Sequence, residues 1–396
     1  MNFLILSLIK AALIAFVLLT ALAYLQWIER KVIAHIQLRV GPYRVGPHGL
    51  LQPLADVVKL ITKEGVIPSH VNKLFYLMAP WLAVTLALIS ISVIPFGPQI
   101  TVGPVTTWMQ LTDLRIGILF VLAVSSIGVY GVALGGWASN NKYSLLGGLR
   151  SSAQMISYEL PLALAVAAPL LLANTLSFRE MVDYQNGYWF GFIPRWNAIP
   201  EILGFIVFVI AGFAETNRVP FDLPEAENEL VAGFHTEYSS MKFAAFFMAE
   251  YANMVTVTAV ATLLFLGGWL PPFPEPYSDA IPIAIFALSG LIAVYHGLHP
   301  ARRKDKFTLP AAGLVFLGLA ALFGTSILVP VLKTTLMALF WFCAKIGILL
   351  FVFIWVRGTS PRFRYDQLMR FAWTFLFPLA MLNLLITGFF VALGSK

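Results

Sequence analysis

The chain alternates between long apolar stretches and shorter polar stretches that are often basic. Ten apolar stretches approach or exceed the length needed to cross about 30 Å of hydrocarbon. They are 3–28, 74–96, 114–137, 153–176, 200–214, 243–270, 281–298, 309–332, 335–356 and 371–393. Backbone N–H and C=O groups in lipid must be satisfied within the segment, so each stretch is predicted to be a helix. The pattern predicts an all-α, polytopic transmembrane bundle of about ten spans, forming one integral membrane domain over 1–396.

The composition agrees with a membrane chain and excludes several classes of protein. Hydrophobic residues make up 59% of the chain and charged residues 11%, whereas soluble domains carry about 45–50% and about 25%. The single cysteine, Cys343, excludes an intrachain disulfide and any cysteine-ligated cluster. The sequence has neither a phosphate-binding loop nor a dinucleotide fingerprint. We therefore expect no metal and no bound redox cofactor in this chain.

The net charge of +7 does not indicate nucleic-acid binding, because most of the cations lie in one set of loops between the apolar stretches. Nineteen of the 26 Lys and Arg residues fall in one set of loops, and six fall on the other side of the predicted membrane. The first set comprises 29–73, 138–152, 215–242, 298–308 and 357–370. Cytoplasmic loops of membrane proteins are enriched in Lys and Arg. This asymmetry predicts that the first set is cytoplasmic and that both termini face outward.

The first basic loop, 29–73, contains a segment with helical periodicity. In Gly49–Glu64 (GLLQPLADVVKLITKE), apolar residues recur at helical spacing and charged residues lie between them. This pattern predicts an amphipathic helix lying in the membrane interface. Two roles are open for it: a simple anchor, or a wall at the entrance of a path for an amphiphilic ligand.

The loop 215–242 and its flanks are rich in acids. Seven of the 19 acidic residues are Glu215, Asp222, Glu225, Glu227, Glu229, Glu237 and the nearby Glu250. A solvated acidic face is one interpretation. However, Glu215 ends one apolar stretch, Glu250 lies inside the next, and Glu159 lies near the start of another. Carboxylates in such positions usually face a protein interior or a water-filled cavity, which favours a proton store or relay.

Two segments resemble signature segments of the H subunit of NADH:quinone oxidoreductase, the respiratory complex I, whose mitochondrial equivalent is NADH dehydrogenase subunit 1. They are Gly49–Glu64 and Pro220–Gly233 (PFDLPEAENELVAG). Further similar blocks occur in family order at Glu29–Pro42, Asn140–Glu159, Phe246–Tyr251 and Pro361–Met369. The resemblance covers most of the chain.

The resemblance implies a membrane subunit of a proton-pumping enzyme in the bacterial inner membrane. Such a subunit forms most of a tunnel through which quinone reaches an iron–sulfur cluster in a partner. A quinone, either ubiquinone or menaquinone, is then the substrate, and NADH, FMN and the iron–sulfur clusters belong to partner subunits. The implied partners are peripheral-arm subunits, small membrane subunits, antiporter-like subunits and membrane lipid. This chain would contribute to catalysis without completing an active site alone.

The resemblance also implies roles for individual residues. It assigns the quinone tunnel wall to Arg30, Arg39, Asp56 and Phe247. It assigns a proton or charge relay to Glu159, Glu215, Asp222, Glu225, Glu227, Glu250 and Tyr251. For Arg30 and Arg39, pairing with lipid headgroups or acids remains an alternative, and for Phe247 ordinary core packing does.

Two features are left without a family role. The stretch 271–333 contains two more candidate spans than the eight helices of the family, so we interpret it as an inserted transmembrane hairpin of unknown role. Lys345 lies inside a predicted span without an evident partner in the sequence.

Two other functions remain open from the sequence. A related membrane subunit of a membrane-bound hydrogenase or formate hydrogenlyase would share the acidic loop but would need no path for a lipid quinone. A stand-alone transporter would predict inverted repeats or paired broken helices, and the two halves of this chain show no such similarity. The complete segment around the amphipathic helix favours the quinone-linked enzyme.

Overall fold

The computed structural model describes residues 3–102, 105–222, 231–300 and 305–394. Numbered along the chain, the helices are α1 (Phe3–Ile36), α2 (Gln52–Thr62), α3 (Lys73–Ile91), α4 (Gly117–Ala138), α5 (Lys142–Ala173), α6 (Phe178–Tyr184), α7 (Ile202–Glu215), α8 (Ser240–Phe265), α9 (Tyr277–Leu298), α10 (Asp305–Ser326), α11 (Pro330–Thr359), α12 (Tyr365–Phe371) and α13 (Phe377–Gly394). A π-helical turn, Ala372–Leu376, joins α12 to α13. Single 3-10 turns lie at Pro47–Gly49 and Gly233–His235.

Two short antiparallel hairpins are the strands among the described residues. One pairs β1 (Gln99–Val102) with β2 (Val105–Trp108), and the other pairs β3 (Tyr188–Trp189) with β4 (Ile193–Pro194). Both lie in connections between helices, so they do not change the class of the fold. The prediction of an all-α polytopic bundle is confirmed.

Nine helical segments in the described part of the chain are long and apolar enough to cross a membrane. They comprise α1, α3, α4, α5, α8, α9, α10, α11 and the continuous segment from α12 through α13. The fifth predicted span corresponds to α7, which has 14 residues. At 1.5 Å per residue it is about 21 Å long, shorter than the hydrocarbon layer. The expectation of about ten spans thus corresponds to nine long helices and one short one.

Helices α5 and α8 extend beyond the apolar stretches that predicted them. Helix α5 begins at Lys142, after Asn141, whose side chain accepts a hydrogen bond from the Tyr143 N–H at 2.9 Å. This N-cap satisfies one of the free donors of the first turn. One face of the added turns, which includes Ser144 and Ser151, is buried against the rest of the protein, while Leu145, Leu146 and Leu149 are exposed. As a result, Glu159 lies in the middle of its helix and not near its start.

The loops collect at two ends of the bundle. At one end, Asn140 Nδ2 donates to the His70 carbonyl at 3.1 Å, and the Phe363 N–H donates to the Pro220 carbonyl at 3.2 Å. We call this the basic end, formed by loops 37–51, 63–72, 216–222, 231–239 and 360–364. At the opposite end, the Ala198 N–H donates to the Phe265 carbonyl at 2.9 Å.

The helices approach closely where small residues face each other. Gly131 of α4 lies against Ala83 of α3, where an added Cβ would sit 3.1 Å from the alanine methyl carbon. Gly147 of α5 lies so close to Phe234 that a Cβ would be 2.7 Å from its backbone nitrogen. Lipid tails are as apolar as the side chains, so burial between helices in a membrane gains no hydrophobic free energy, and close backbone packing is a main source of helix association. This packing places the 3-10 turn at Gly233–His235 directly against α5.

Candidate functional site

Glu215 and Glu250 line one cavity inside the bundle, although 35 positions separate them in sequence. Glu215 is the last residue of α7, and Glu250 lies about three turns into α8. The cavity measures about 40 Å³ and is enclosed by residues of α3, α4, α5, α7, α8 and the 3-10 turn at Gly233–His235. A cavity needs roughly 10–15 Å³ of such volume to hold one water molecule. This carboxylate cavity therefore has room for about three or four waters.

Polar groups continue around the cavity wall. Ser125, Thr216, Asn217 and Asn253 also line it, among apolar side chains such as Met155 and Phe246. Hydroxyl and amide groups can donate to or accept from water and carboxylates. The wall can therefore hold a short hydrogen-bonded chain between the two acids.

Glu159 joins this group from α5. The Ser126 hydroxyl of α4 donates a hydrogen bond to the Glu159 carboxylate. Glu159 is also close enough to Glu215 for their charges to repel, while the Ser125 hydroxyl donates to Glu215. Two serines of α4 thus donate hydrogen bonds to two carboxylates of neighbouring helices. The structure brings together Glu159, Glu215 and Glu250, which sequence analysis assigned to one relay.

A buried charge cluster adjoins the cavity. The chain continues from Thr216 and Asn217 in the cavity wall to Arg218, whose Nη1 lies 3.4 Å from Glu29 Oε1. Both side chains are about 95% buried. Arg357 of α11 also forms an ion pair with Glu29. The Arg218 guanidinium carbon lies 4.2 Å from the ring centroid of Tyr251, the residue after Glu250.

These four side chains, Glu29, Arg218, Tyr251 and Arg357, form what we call the bridging cluster. A buried charge is stable only when it is paired and hydrogen-bonded. The cluster satisfies that condition through ion pairs between α1, α11 and the loop after α7. It lies between the carboxylate cavity and the end of α1.

Asp222 is held by a different partner. Its carboxylate forms a 2.8 Å ion pair with Arg362, in the loop after α11, and it is buried. This pair ties the acidic loop to the loop 360–364. Glu225, Glu227 and Glu229 lie outside the described residues, so their predicted roles remain predictions.

Arg30 and Asp56 form an ion pair at the basic end. Arg30 Nη1 lies 2.8 Å from Asp56 Oδ2, and Gln52 Nε2 donates to Asp56 Oδ1 at 2.9 Å. The Arg30 side chain is 45% exposed, and exposed ion pairs contribute about 0–1 kcal/mol. Arg30 directly follows Glu29, so this pair adjoins the bridging cluster along α1.

Helix α2, which carries Asp56, leaves apolar side chains uncovered. Leu54, Val57, Val58 and Ile61 are all exposed. The C-terminal end of α2 is tied to α8, because the Ser240 hydroxyl donates to the carbonyls of Leu60 and Lys63 at 2.8 and 2.9 Å. The predicted amphipathic helix is therefore present, attached at its end and apolar on its open face.

Arg39 and Phe247 lie apart from the Arg30–Asp56 pair. Arg39 is exposed, and its Nε donates to Gln37 Oε1 at 2.7 Å. Phe247 packs 4.5 Å from Phe243 and 6.0 Å from His235, measured between ring centroids. Burial lowers the pKa of His235 to about 4, so this aromatic group is uncharged near neutral pH.

Lys345 has partners that the sequence did not reveal. Its ammonium group donates to the carbonyls of Leu266, Gly268 and Leu270 at 2.6, 2.8 and 2.6 Å. It also lies 4.4 Å from the centroid of the Trp196 ring. These carbonyls follow the C-terminal end of α8, where a cation is favoured by the helix dipole. Lys345 thus fixes the end of the helix that carries Glu250.

Three buried acids of the described residues are not evident from the sequence: Glu29, Glu201 and Asp305. In the sequence, Glu29 is followed by Arg30 and Lys31 at the end of the first apolar stretch, which is typical of an exposed helix end. In the fold, it is the buried acid of the bridging cluster. Glu201 precedes α7 and accepts hydrogen bonds from Asn383 Nδ2 at 2.6 Å and Thr387 Oγ1 at 2.5 Å. Its position at the edge of an apolar stretch was a signal of burial. Glu201 joins α7 to α13 at the end opposite Glu215.

The fold and the site define a polytopic helical membrane protein with a carboxylate-lined cavity in its interior. Within the described ranges, no group of three or more His, Cys, Asp or Glu side chains could hold a metal ion.

Comparisons with known proteins agree on one family. The family model described as NADH dehydrogenase matches residues 9–388. The chain is 67% identical to the NADH-quinone oxidoreductase H subunit numbered 1 of Solibacter usitatus, covering 100% of this chain and 99% of that protein. It is 50% identical to the H subunit numbered 2 of Koribacter versatilis, covering 99% and 98%, respectively. The H subunit numbered 2 of Geobacter metallireducens is 46% identical, with 96% and 93% covered. The chain therefore belongs to the H-subunit family of NADH-quinone oxidoreductase, and the family predicted from the sequence is confirmed.

Proposed function

We propose that this chain, as a membrane subunit of NADH-quinone oxidoreductase, guides quinone from the bilayer to partner subunits and relays the resulting charge change to proton translocation. NADH, FMN and iron–sulfur clusters belong to those partners, and quinone is the substrate. The H-subunit relatives support membership of the complex. The tunnel and relay rest on the geometry of the described residues.

The observation that carries the relay is the shared cavity of Glu215 and Glu250. Two carboxylates in one enclosed space with room for water can exchange a proton through short hydrogen bonds. When both are ionised, their negative charges repel each other, so a change in the protonation of one carboxylate alters the proton affinity of the other. With Glu159 repelling Glu215 from α5, the group behaves as three coupled acids.

The bridging cluster connects this relay to the quinone path. Quinone reduction to quinol consumes two electrons and two protons, so charge must move at the headgroup. Arg30 and Asp56 are placed to meet a polar headgroup, since a guanidinium donates to carbonyl oxygens. Glu29 precedes Arg30 on α1 and pairs with Arg218, which contacts Tyr251 beside Glu250. A change near Arg30 therefore reaches the carboxylate cavity through contacting groups.

The quinone tail needs an apolar route as well as a polar destination. The exposed apolar side chains of α2 provide a surface that suits a hydrocarbon tail. Asp56 and Gln52 lie on the same helix and offer polar atoms to the headgroup. We therefore place the tunnel entrance at α2 and the adjoining end of α1.

Orientation follows from the distribution of cations. The basic end holds the loops that are enriched in Lys and Arg, so we assign it to the cytoplasmic side of the inner membrane. The peripheral partner subunits would bind there, small membrane and antiporter-like subunits would bind along the bundle, and both termini would face outward.

Purification through a tag on this chain tests the assignment. We expect a large assembly that reduces decylubiquinone with NADH and is sensitive to quinone-site inhibitors. An assembly with hydrogenase activity would instead support the related hydrogenase subunit. A single chain without redox partners would overturn the proposal and favour a transporter.

A further inference from the structure

The α9–α10 hairpin contacts the loop before α2 through one side-chain cluster. Asp305, the first residue of α10, is buried. Tyr43 Oη donates to Asp305 Oδ1 at 3.4 Å, and His48 Nε2 lies 3.4 Å from the same oxygen. His48 Nε2 also lies 2.9 Å from Thr308 Oγ1. We call Tyr43, His48, Asp305 and Thr308 the clamp.

The loop that carries Tyr43 and His48 is tightly folded. Gly49 adopts φ +80°, and a Cβ there would lie 2.3 Å from the Pro42 carbonyl oxygen. Only glycine combines that conformation with such close packing. The Leu51 N–H donates to the Val45 carbonyl at 3.3 Å. These contacts attach the loop to the start of α2.

Both ends of this loop adjoin the Arg30–Asp56 pair. Gly41 packs against the backbone of Arg30 and Lys31, where an added Cβ would be 3.2 Å from the Arg30 carbonyl oxygen. After the loop, Gln52 begins α2 and donates to Asp56. A displacement of the loop would therefore change the relation between α1 and α2, which Arg30 and Asp56 join.

The hairpin is anchored independently of the loop. Phe286 of α9 and Phe323 of α10 each lie 5.8 Å from Phe340 of α11, between ring centroids. At the opposite end, Asp279 forms a 2.7 Å ion pair with Lys333 of α11. With its body fixed on α11, the hairpin can hold the loop in place through Asp305.

We propose that Asp305 and His48 are positioning residues for quinone, through which the α9–α10 hairpin fixes the loop and thereby the Arg30–Asp56 pair. This inference rests on the proposed role of that pair at the tunnel entrance. It assigns a role to the two spans that exceed the predicted family core. The hairpin acts as a brace for the entrance.

The test measures KM and kcat for decylubiquinone in the purified complex. Asp305→Asn and His48→Gln should each raise KM about 3–10-fold while kcat changes less than about twofold. The double variant should show less than the product of the single effects, because both changes break one contact. Asp366→Asn is the matched control: it changes an exposed carboxylate on α12, outside the hairpin and its anchor, and should leave KM unchanged.

Three outcomes would overturn the inference: an unchanged KM in Asp305→Asn, multiplicative effects in the double variant, or an equal rise in Asp366→Asn. If Asp305→Asn prevents assembly, Tyr43→Phe with His48→Gln tests the same contact from the loop side, with an unchanged KM again overturning it. Asp56→Asn separates this inference from the proposed function. A raised KM in Asp56→Asn with an unchanged KM in Asp305→Asn would remove only the brace, whereas unchanged values in both would remove the entrance too.

Discussion

Arg218 and Glu29 form a buried ion pair, with 3.4 Å between guanidinium nitrogen and carboxylate oxygen, that links the loop after α7 to the end of α1. On one side of the pair lies the carboxylate cavity, and on the other lies the Arg30–Asp56 pair. Two regions with separate predicted roles are therefore joined by one charge contact. Substitutions in the pair and on either side of it can test this connection.

Replacing Arg218 by Met should impair both stability and activity. Removing one partner of a buried pair costs about 3–5 kcal/mol, although Arg357 remains beside Glu29 and should keep the loss near the lower value. Quinone reduction per assembled complex should fall about tenfold or more. The exposed Arg115 provides a matched Arg→Met control that should retain activity. Turnover close to normal in Arg218→Met would show that the bridging cluster does not connect the two regions.

Breaking the Arg30–Asp56 pair should affect quinone use more than stability. This pair is partly exposed, so Asp56→Asn should change the free energy of unfolding by less than about 1 kcal/mol. KM for decylubiquinone should rise about tenfold if the pair receives the headgroup. Asp366→Asn, at an exposed carboxylate beside Arg364, is the control. A stability loss of several kcal/mol without a change in KM would assign the pair a structural role.

Replacing Lys345 by Met should destabilise the complex without stopping turnover. Three carbonyl groups would lose a charged donor, and hydrogen bonds to charged groups contribute roughly 1.5–3 kcal/mol each. The yield and thermal midpoint should fall, while turnover per assembled complex stays within about twofold. Lys142→Met, at an exposed position, should change neither. A stable, assembled but inactive Lys345→Met complex would instead place this lysine in the mechanism.

His235 should make stability depend on pH. Burial lowers its pKa from 6.5 to about 4, so the unfolded chain binds the proton more tightly than the folded chain. The contribution of His235 to the free energy of unfolding is therefore fully present above pH 6.5 and is lost as pH falls toward 4. Between about pH 8 and about pH 5 the loss is about 2 kcal/mol. His235→Phe, which keeps an aromatic ring, should show a smaller drop in thermal midpoint, and an identical drop would contradict this origin.

The apolar pattern predicted the helices well because lipid leaves the backbone few alternatives. It placed helix ends poorly where polar residues on one face of a helix are buried by protein, as Ser144 and Ser151 are in the first turns of α5. It also described α7 as a span, although that helix has only 14 residues. Hydropathy measures transfer into lipid and does not register burial against other helices.

Their positions in or beside apolar stretches singled out Glu159, Glu215 and Glu250 as candidate relay residues, and the resemblance supplied the other candidates. Glu215 and Glu250 are conspicuous as acids near apolar stretches, but no local pattern shows that they share a cavity. The partners of Glu29, Lys345 and Asp305 come from segments far away in sequence, and pairing of that kind is decided by tertiary packing. Glu201 was missed for the same reason, since its donors Asn383 and Thr387 lie on the last helix.

The most direct test of the central claim is the rate of NADH:decylubiquinone reduction and coupled proton pumping in proteoliposomes containing Glu215→Gln or Glu250→Gln complex. Glutamine keeps the size of each side chain and can still form hydrogen bonds, but it cannot take up or release a proton. We predict that both rates fall about tenfold or more in each variant while assembly survives. Glu275→Gln, at an exposed acid of the opposite end, should retain both rates. Near-normal reduction and pumping in both cavity variants would contradict the account and remove these carboxylates from the mechanism.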